Sequence, residues 1–184
     1  MQQKRLKFGL FIGRFQPFHL GHLSDIKKIL AKTDFLVICI GSAQEKRTEK
    51  NPLSAAERRK IIKHALNSEK ISSNRYAFIN ISDVGDHNLW VKNLIKLLDK
   101  LQIKYKNKKV KLNKNNTHIF AGNEHSGHFT LYLLSMRKYK VIRMKLLKGI
   151  SGTKIRQLIA AKKPWQHLVP KSVAVEIERA FRKL

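Results

Sequence analysis

A chain of 184 residues with 42% hydrophobic content is long enough to bury one sizeable core and is one domain by length. Its 39 basic against 12 acidic residues give a formal net charge of +27, so anionic partners, nucleotides or nucleic acid, are what its surface attracts. No apolar run approaches the roughly 18 residues of a membrane span, and the single cysteine, Cys39, excludes an internal disulfide or a cysteine metal cluster.

The lysines are dispersed along the chain, which an AT-rich coding bias also produces. No nucleic-acid-binding motif accompanies them, so nucleic acid is not an expected partner. The basic start, Met1–Lys7, runs straight into an apolar strand rather than a signal-peptide segment. The expected compartment is the cytoplasm.

Phe8 to Ile12 is an apolar run that predicts a buried parallel strand. Gly13 ends it, and Arg14, Gln16, Pro17, His19 and His22 follow before a helical pattern begins at Leu20. A strand feeding a helix through a tight polar turn presents unpaired N–H groups and a partial positive charge, which suits phosphate. Gly21, between the histidines, leaves the backbone open to a ligand. Leu20–Lys32 is amphipathic, and Asp25 near its start suits the helix dipole. Phe35–Gly41 predicts a second parallel strand, completing a βαβ unit.

Gly41–Pro52 is a loop at a strand's carboxyl end, where α/β proteins bind ligands. Its Lys46, Arg47 and Lys50 are either phosphate contacts or solvated charges. Ser54 and Glu57 form a capping box for a helix to about Ala65, with Arg58 in a helix-packing role. Tyr76–Ile81 predicts a third strand. The segment S-D-V-G-D-H-N-L-W-V then joins a carboxylate and turn residues to a tryptophan entering the helix Leu89–Leu101. Trp90 is either a core aromatic of that helix or a ligand contact. Residues 102–116 hold six lysines and read as a charged surface insertion, with enough alternation for an edge hairpin. His118–Gly122 is a fourth strand, and Asn123 after it is either a ligand contact or a helix N-cap. Tyr139–Leu146 supplies the fifth strand. Ser151, Gly152 and Thr153 open another helix, with Arg156 one turn inside; this is a second anion-binding helix start.

The G-R-F-Q-P-F-H-L-G-H of Gly13–His22 and the S-G-T-K-I-R of Ser151–Arg156 resemble the two signatures of the H-x-G-H nucleotidyltransferases. Together with G-S-A-Q (Gly41–Gln44), N-P-L-S-A-A-E-R (Asn51–Arg58) and the Pro164–Pro170 segment, they look like the archaeal-type nicotinamide-nucleotide adenylyltransferases. The likeness covers essentially the whole chain except the lysine-rich stretch.

That resemblance implies one nucleotidyltransferase domain over 1–184. It also implies an α/β, Rossmann-like doubly wound fold with a mostly parallel five-stranded sheet and helices on both faces. The implied reaction joins ATP and nicotinamide mononucleotide (NMN), or its acid form, nicotinate mononucleotide, to give the dinucleotide and pyrophosphate. Catalysis falls to His19, His22, Arg14 and Arg156. The ATP site takes Gly13, Phe15, Gln16, Gly21, Gly122, Asn123, Ile150, Ser151, Gly152 and Thr153. The NMN site takes Phe11, Ser42, Asp83, His87, Asn88 and Trp90. Relatives carry D-I-x-x-N-x-x-W there, with the tryptophan stacked on the pyridine ring; in this sequence His87 stands at the asparagine position.

Arg47 and Lys50 are further phosphate contacts by the same resemblance; some members have arginine where Lys50 stands. Mg²⁺ accompanies ATP, with no protein-held metal site. Members often form hexamers, so a homo-oligomer is expected. The alternatives are an H-x-G-H nucleotidyltransferase acting on a phosphopantetheine, FMN or cytidylyl acceptor, and a non-catalytic basic nucleic-acid-binding protein.

Overall fold

The apolar run after Lys7 forms the central strand of a sheet. A computed structural model describes residues 6–105, 107–122, 128–145 and 147–183. In it, β1 (Leu6–Gly13) lies between β2 (Thr33–Ile40) and β6 (Thr117–Gly122), with β3 (Tyr76–Asn80) and β7 (Lys140–Met144) at the edges. The order is β3-β2-β1-β6-β7, and all four pairings are parallel. The expected five strands are therefore present, in a wholly parallel sheet. The predicted end of the last strand, Leu146, lies outside the described residues.

The inner strands are continuous apolar runs because both faces are covered. On one face Phe11, Leu36, Ile38 and Phe120 pack under α1 (Leu20–Lys32), α2 (Ala55–Ser68), α5 (Gly152–Ala160) and α6 (Ala174–Phe181). On the other, Leu10, Val37, Cys39 and Ile119 pack under α3 (His87–Lys100) and α4 (His128–Met136). From β1 the chain steps outward to β2 and β3, then crosses back to β6 and β7. The strand order thus reverses between β1 and β6, and their carboxyl ends diverge into a crevice. α3 begins two residues before its predicted start, because Asp86 caps it by accepting from the Leu89 N–H at 2.6 Å. Among the described residues no helix is long and apolar enough to cross a membrane.

The lysine-rich stretch forms a hairpin, β4 (Gln102–Tyr105) paired antiparallel with β5 (Lys108–Lys111). Its described lysines are exposed, but it is not a free solvated loop. Ile103 and Leu112 are buried with the α3–α4 side of the core. The Tyr105 ring meets Phe8 edge-on at 5.4 Å, and its hydroxyl donates to Asp34 Oδ2 at 2.6 Å. Ile103→Ala is accordingly expected to lower stability by about 2–5 kcal/mol in urea unfolding; an unchanged midpoint would mean that the hairpin packs on nothing.

Candidate active site

β1 ends at Gly13, and residues 14–19 turn the chain into α1. His19 is the N-cap of α1, with extended backbone, and its Nδ1 accepts from the His22 N–H at 3.3 Å. With Nδ1 an acceptor, neutral His19 carries its proton on Nε2. The His22 ring stacks on His19 with centroids 3.6 Å apart and is enclosed by Phe11, Phe15 and Phe18. Desolvation lowers the His19 pKa to about 4. It pushes His22 well below the usual imidazole range, with repulsion from His19 adding to it. Two neutral rings thus sit at the positive end of a helix, able to donate to an anion without holding two like charges in contact.

The start of α5 comes to the same place. Ser151 caps it, its Oγ accepting from the Lys154 N–H at 3.2 Å. Arg156 Nη1 donates to the Gln16 carbonyl at 2.7 Å, and Nη2 donates to Thr153 Oγ1 at 3.2 Å. Gly152 lies flat against that carbonyl: a Cβ there would stand 2.7 Å from Gln16 O. Both helix starts open onto one cavity of about 490 Å³. Its lining includes Gly13, Arg14, Phe15, Gln16, His19, Gly21 and His22 from the first motif, and Ile150, Ser151, Gly152, Thr153 and Arg156 from the second. Phe11, Ser42, Asp83, His87 and Trp90 line it as well, with Gly122 at the end of β6.

Arg58 does more than the helix packing expected of it. Fully buried, it donates to the carbonyls of Arg14 at 2.8 Å, Gly41 at 2.7 Å, Ser42 at 3.0 Å and Ser54 at 3.2 Å. One guanidinium so locks the β1 and β2 exit loops together. Burial lowers its pKa to about 10, with Asp83 opposing and Arg14 assisting that shift.

Several predicted residues do other work. The Gln16 amide is paired in both directions with the Leu53 backbone, at 2.7 and 3.0 Å, so it anchors a loop although it lines the cavity. Arg47 is outside the lining. It forms a fork with Glu57 at 2.9 and 2.6 Å and donates to Pro52 O at 2.9 Å. The hydrogen bond to Glu57 raises its pKa, and Glu57 falls to about 2 although burial pushes the other way. Lys50 is exposed and also outside the lining, as is Asn88. Asn123 lies outside the described residues. Sequence reasoning missed Asp25 as a cavity residue; the structure buries it facing the site. Among the described residues no group of three or more His, Cys, Asp or Glu side chains is placed to hold a metal ion.

The family whose sequence model matches is cytidylyltransferase-like, over residues 10–158. The nicotinamide-nucleotide adenylyltransferase of Thermoplasma acidophilum is 35% identical over 175 residues, covering 94% of this chain and 86% of that protein. That of Pyrococcus furiosus is 33% identical over 176 residues, covering 94% and 84%. Among solved structures, a bifunctional NMN adenylyltransferase/ADP ribose pyrophosphatase from Francisella tularensis, complexed with AMP and a manganese ion, superposes with a TM-score of 0.77 at 24% identity. The match covers 97% of this chain and 52% of that one, so this chain spans about half its length; the likeness is one of fold.

Two expectations follow from the geometry. Gly152→Ala forces α5 away from Gln16 and should weaken nucleotide binding by about tenfold or more while the fold persists, as read by calorimetric titration with ATP; unchanged affinity would show the close approach to be dispensable. His19 is held neutral by folding, so below about pH 6.5 the unfolded chain takes the proton first, and stability is lost progressively down to about pH 4. This amounts to about 3 kcal/mol at most. Asp25, whose pKa is raised to about 6, works in the opposite direction, so the contribution is isolated by comparison with His19→Asn. That variant should show a shallower acid loss in urea unfolding; parallel profiles would contradict the neutral assignment.

Proposed function

Because the chain belongs to the cytidylyltransferase-like family and, within it, to the nicotinamide-nucleotide adenylyltransferases, we propose that the cavity carries out adenylyl transfer from ATP to NMN. A phosphate oxygen of NMN attacks the α-phosphorus of ATP in line, the bond from that phosphorus to the β-phosphate bridging oxygen breaks, and pyrophosphate leaves as NAD forms. The attacking phosphate is already ionised near neutral pH, so the site needs neither a strong base nor a protein nucleophile. Rate acceleration comes from positioning and from donors aimed at developing charge.

The observation that carries this reading is the meeting of two helix starts, from His19 and from Ser151–Arg156, at one cavity joined by the Arg156–Gln16 bond. His19, through Nε2–H, and His22 donate to α- and β-phosphate oxygens; Arg14 and Arg156 hold the triphosphate. Trp90 stacks on the cationic pyridinium of NMN, an attraction of about 0.5–2 kcal/mol, with Asp83 and His87 beside it. The family uses a divalent metal, and here ATP enters as its magnesium complex. Among the described residues the lining's carboxylates, Asp25, Asp83 and Asp86, form no cage for an ion, so the metal would come in with the nucleotide and would neutralise charge on its phosphates. The same reading has the enzyme act in the cytoplasm and as a homo-oligomer.

Incubation with ATP, Mg²⁺ and either NMN or nicotinate mononucleotide tests the reaction directly, with dinucleotide and pyrophosphate as products. His19→Ala and Arg156→Ala should each lower kcat by about 100-fold or more with the fold intact by circular dichroism. Wild-type turnover in either variant would refute the assignment.

A further inference from the structure

Asp25 lies on α1, one turn beyond Gly21 and His22 and on the same side of the helix, and it lines the same cavity. It is 4% exposed. Among the described residues no hydrogen bond reaches its carboxylate, and the opposite charge acting on it is that of Lys28, itself exposed. Burial raises its pKa to about 6 against the pull of Lys28. A carboxylate partly desolvated by burial and without a protein donor costs folding free energy, and a ligand bringing an O–H or N–H lowers that cost.

Its position narrows the ligand. The anion-binding groups, His19, Ser151 and Arg156, sit at the mouths of α1 and α5, whereas Asp25 stands six residues beyond His19, about 9 Å further along the α1 axis, where phosphate would be repelled. Gly21, one turn before it, carries no side chain to fill the intervening surface. Asp25 also approaches from the α1 face of the sheet, opposite the α3 face that bears Trp90. With NMN against Trp90 on the α3 face, as in the reading above, the α1 face is left to the nucleoside of the adenylyl donor.

We propose that Asp25 is a specificity-determining residue for the adenylyl donor, its carboxylate accepting a hydrogen bond from an O–H or N–H of the adenosine of ATP. This rests on the adenylyl-transfer reading above. The donor is one of the ribose hydroxyls or the 6-amino group of the base, and these are separable by analogue.

Steady-state kinetics at pH 7.5, where the carboxylate is ionised, are measured for wild type, Asp25→Asn and Asp25→Ala. The donors are ATP, 2′-deoxy-ATP, 3′-deoxy-ATP and the purine riboside triphosphate lacking the amino group. Both variants should raise KM for ATP about tenfold, leave KM for NMN within twofold and keep kcat within threefold. One analogue should weaken the wild type about tenfold yet weaken the variants no further, and that analogue names the donor. The melting temperature of Asp25→Asn should equal or exceed that of wild type, because a desolvated charge is removed. The proposal is overturned if KM for ATP is unchanged, if every analogue penalty persists in full in the variants, or if the variants shift the Mg²⁺ requirement or KM for NMN instead. If wild type forms no dinucleotide, the adenylyl-transfer reading fails on its own. Calorimetric titration of ATP into wild type and Asp25→Asn then decides Asp25 separately: weaker binding by the variant upholds it, equal binding ends it.

Discussion

The site depends on one hydrogen bond, from the Arg156 guanidinium to the carbonyl of Gln16, 2.7 Å long and spanning 140 residues of sequence. It seats α5 against the turn that leads into α1, so that two helix N-termini, each with unsatisfied N–H groups, face one cavity. The contact is as close as it is because Gly152 offers no Cβ to the same carbonyl. Arg58 acts similarly on the other flank, gathering the carbonyls of Arg14, Gly41 and Ser42. Hydrogen bonds to a charged donor are worth about 1.5–3 kcal/mol each, enough to fix loops that would otherwise drift.

These arginines separate two tasks that a phosphate site must combine. Positive charge is carried by guanidinium groups, which stay protonated. The histidines contribute directed N–H groups without charge, because burial keeps both imidazoles neutral, with His22 enclosed by Phe11, Phe15 and Phe18. A stacked pair at 3.6 Å holding two protons would repel itself before any nucleotide arrived. Neutral rings avoid that penalty and still donate. The overall charge of +27 adds long-range attraction for nucleotides without setting where they sit.

Much of this was legible in the sequence because it depends on short-range pattern. Apolar runs ended by glycine at Gly13, Gly41 and Gly122 gave the inner strands, and the two helix starts were visible as motifs. What the sequence hid depends on pairs of residues brought together by folding. Arg47 looked available for phosphate, but its partner Glu57 is ten residues on, in the next helix. Gln16 belonged to a binding motif, yet its amide meets the backbone of Leu53. Asp25 read as a dipole partner at a helix start because nothing in its neighbours announces burial; only the rotation of α1 against the sheet turns it inward. The lysine-rich stretch showed enough alternation for a hairpin but hid its packing for a related reason: composition is dominated by exposed side chains, while its anchoring falls to Ile103, Tyr105 and Leu112.

The most direct test of the central claim is a crystal structure of the protein with a non-hydrolysable ATP analogue. One polyphosphate tail should lie between the two helix starts, within hydrogen-bonding distance of His19 or His22 at one end and of Ser151–Arg156 at the other. A nucleotide bound outside the cavity, or held by one helix start with the other at a distance, would contradict the account.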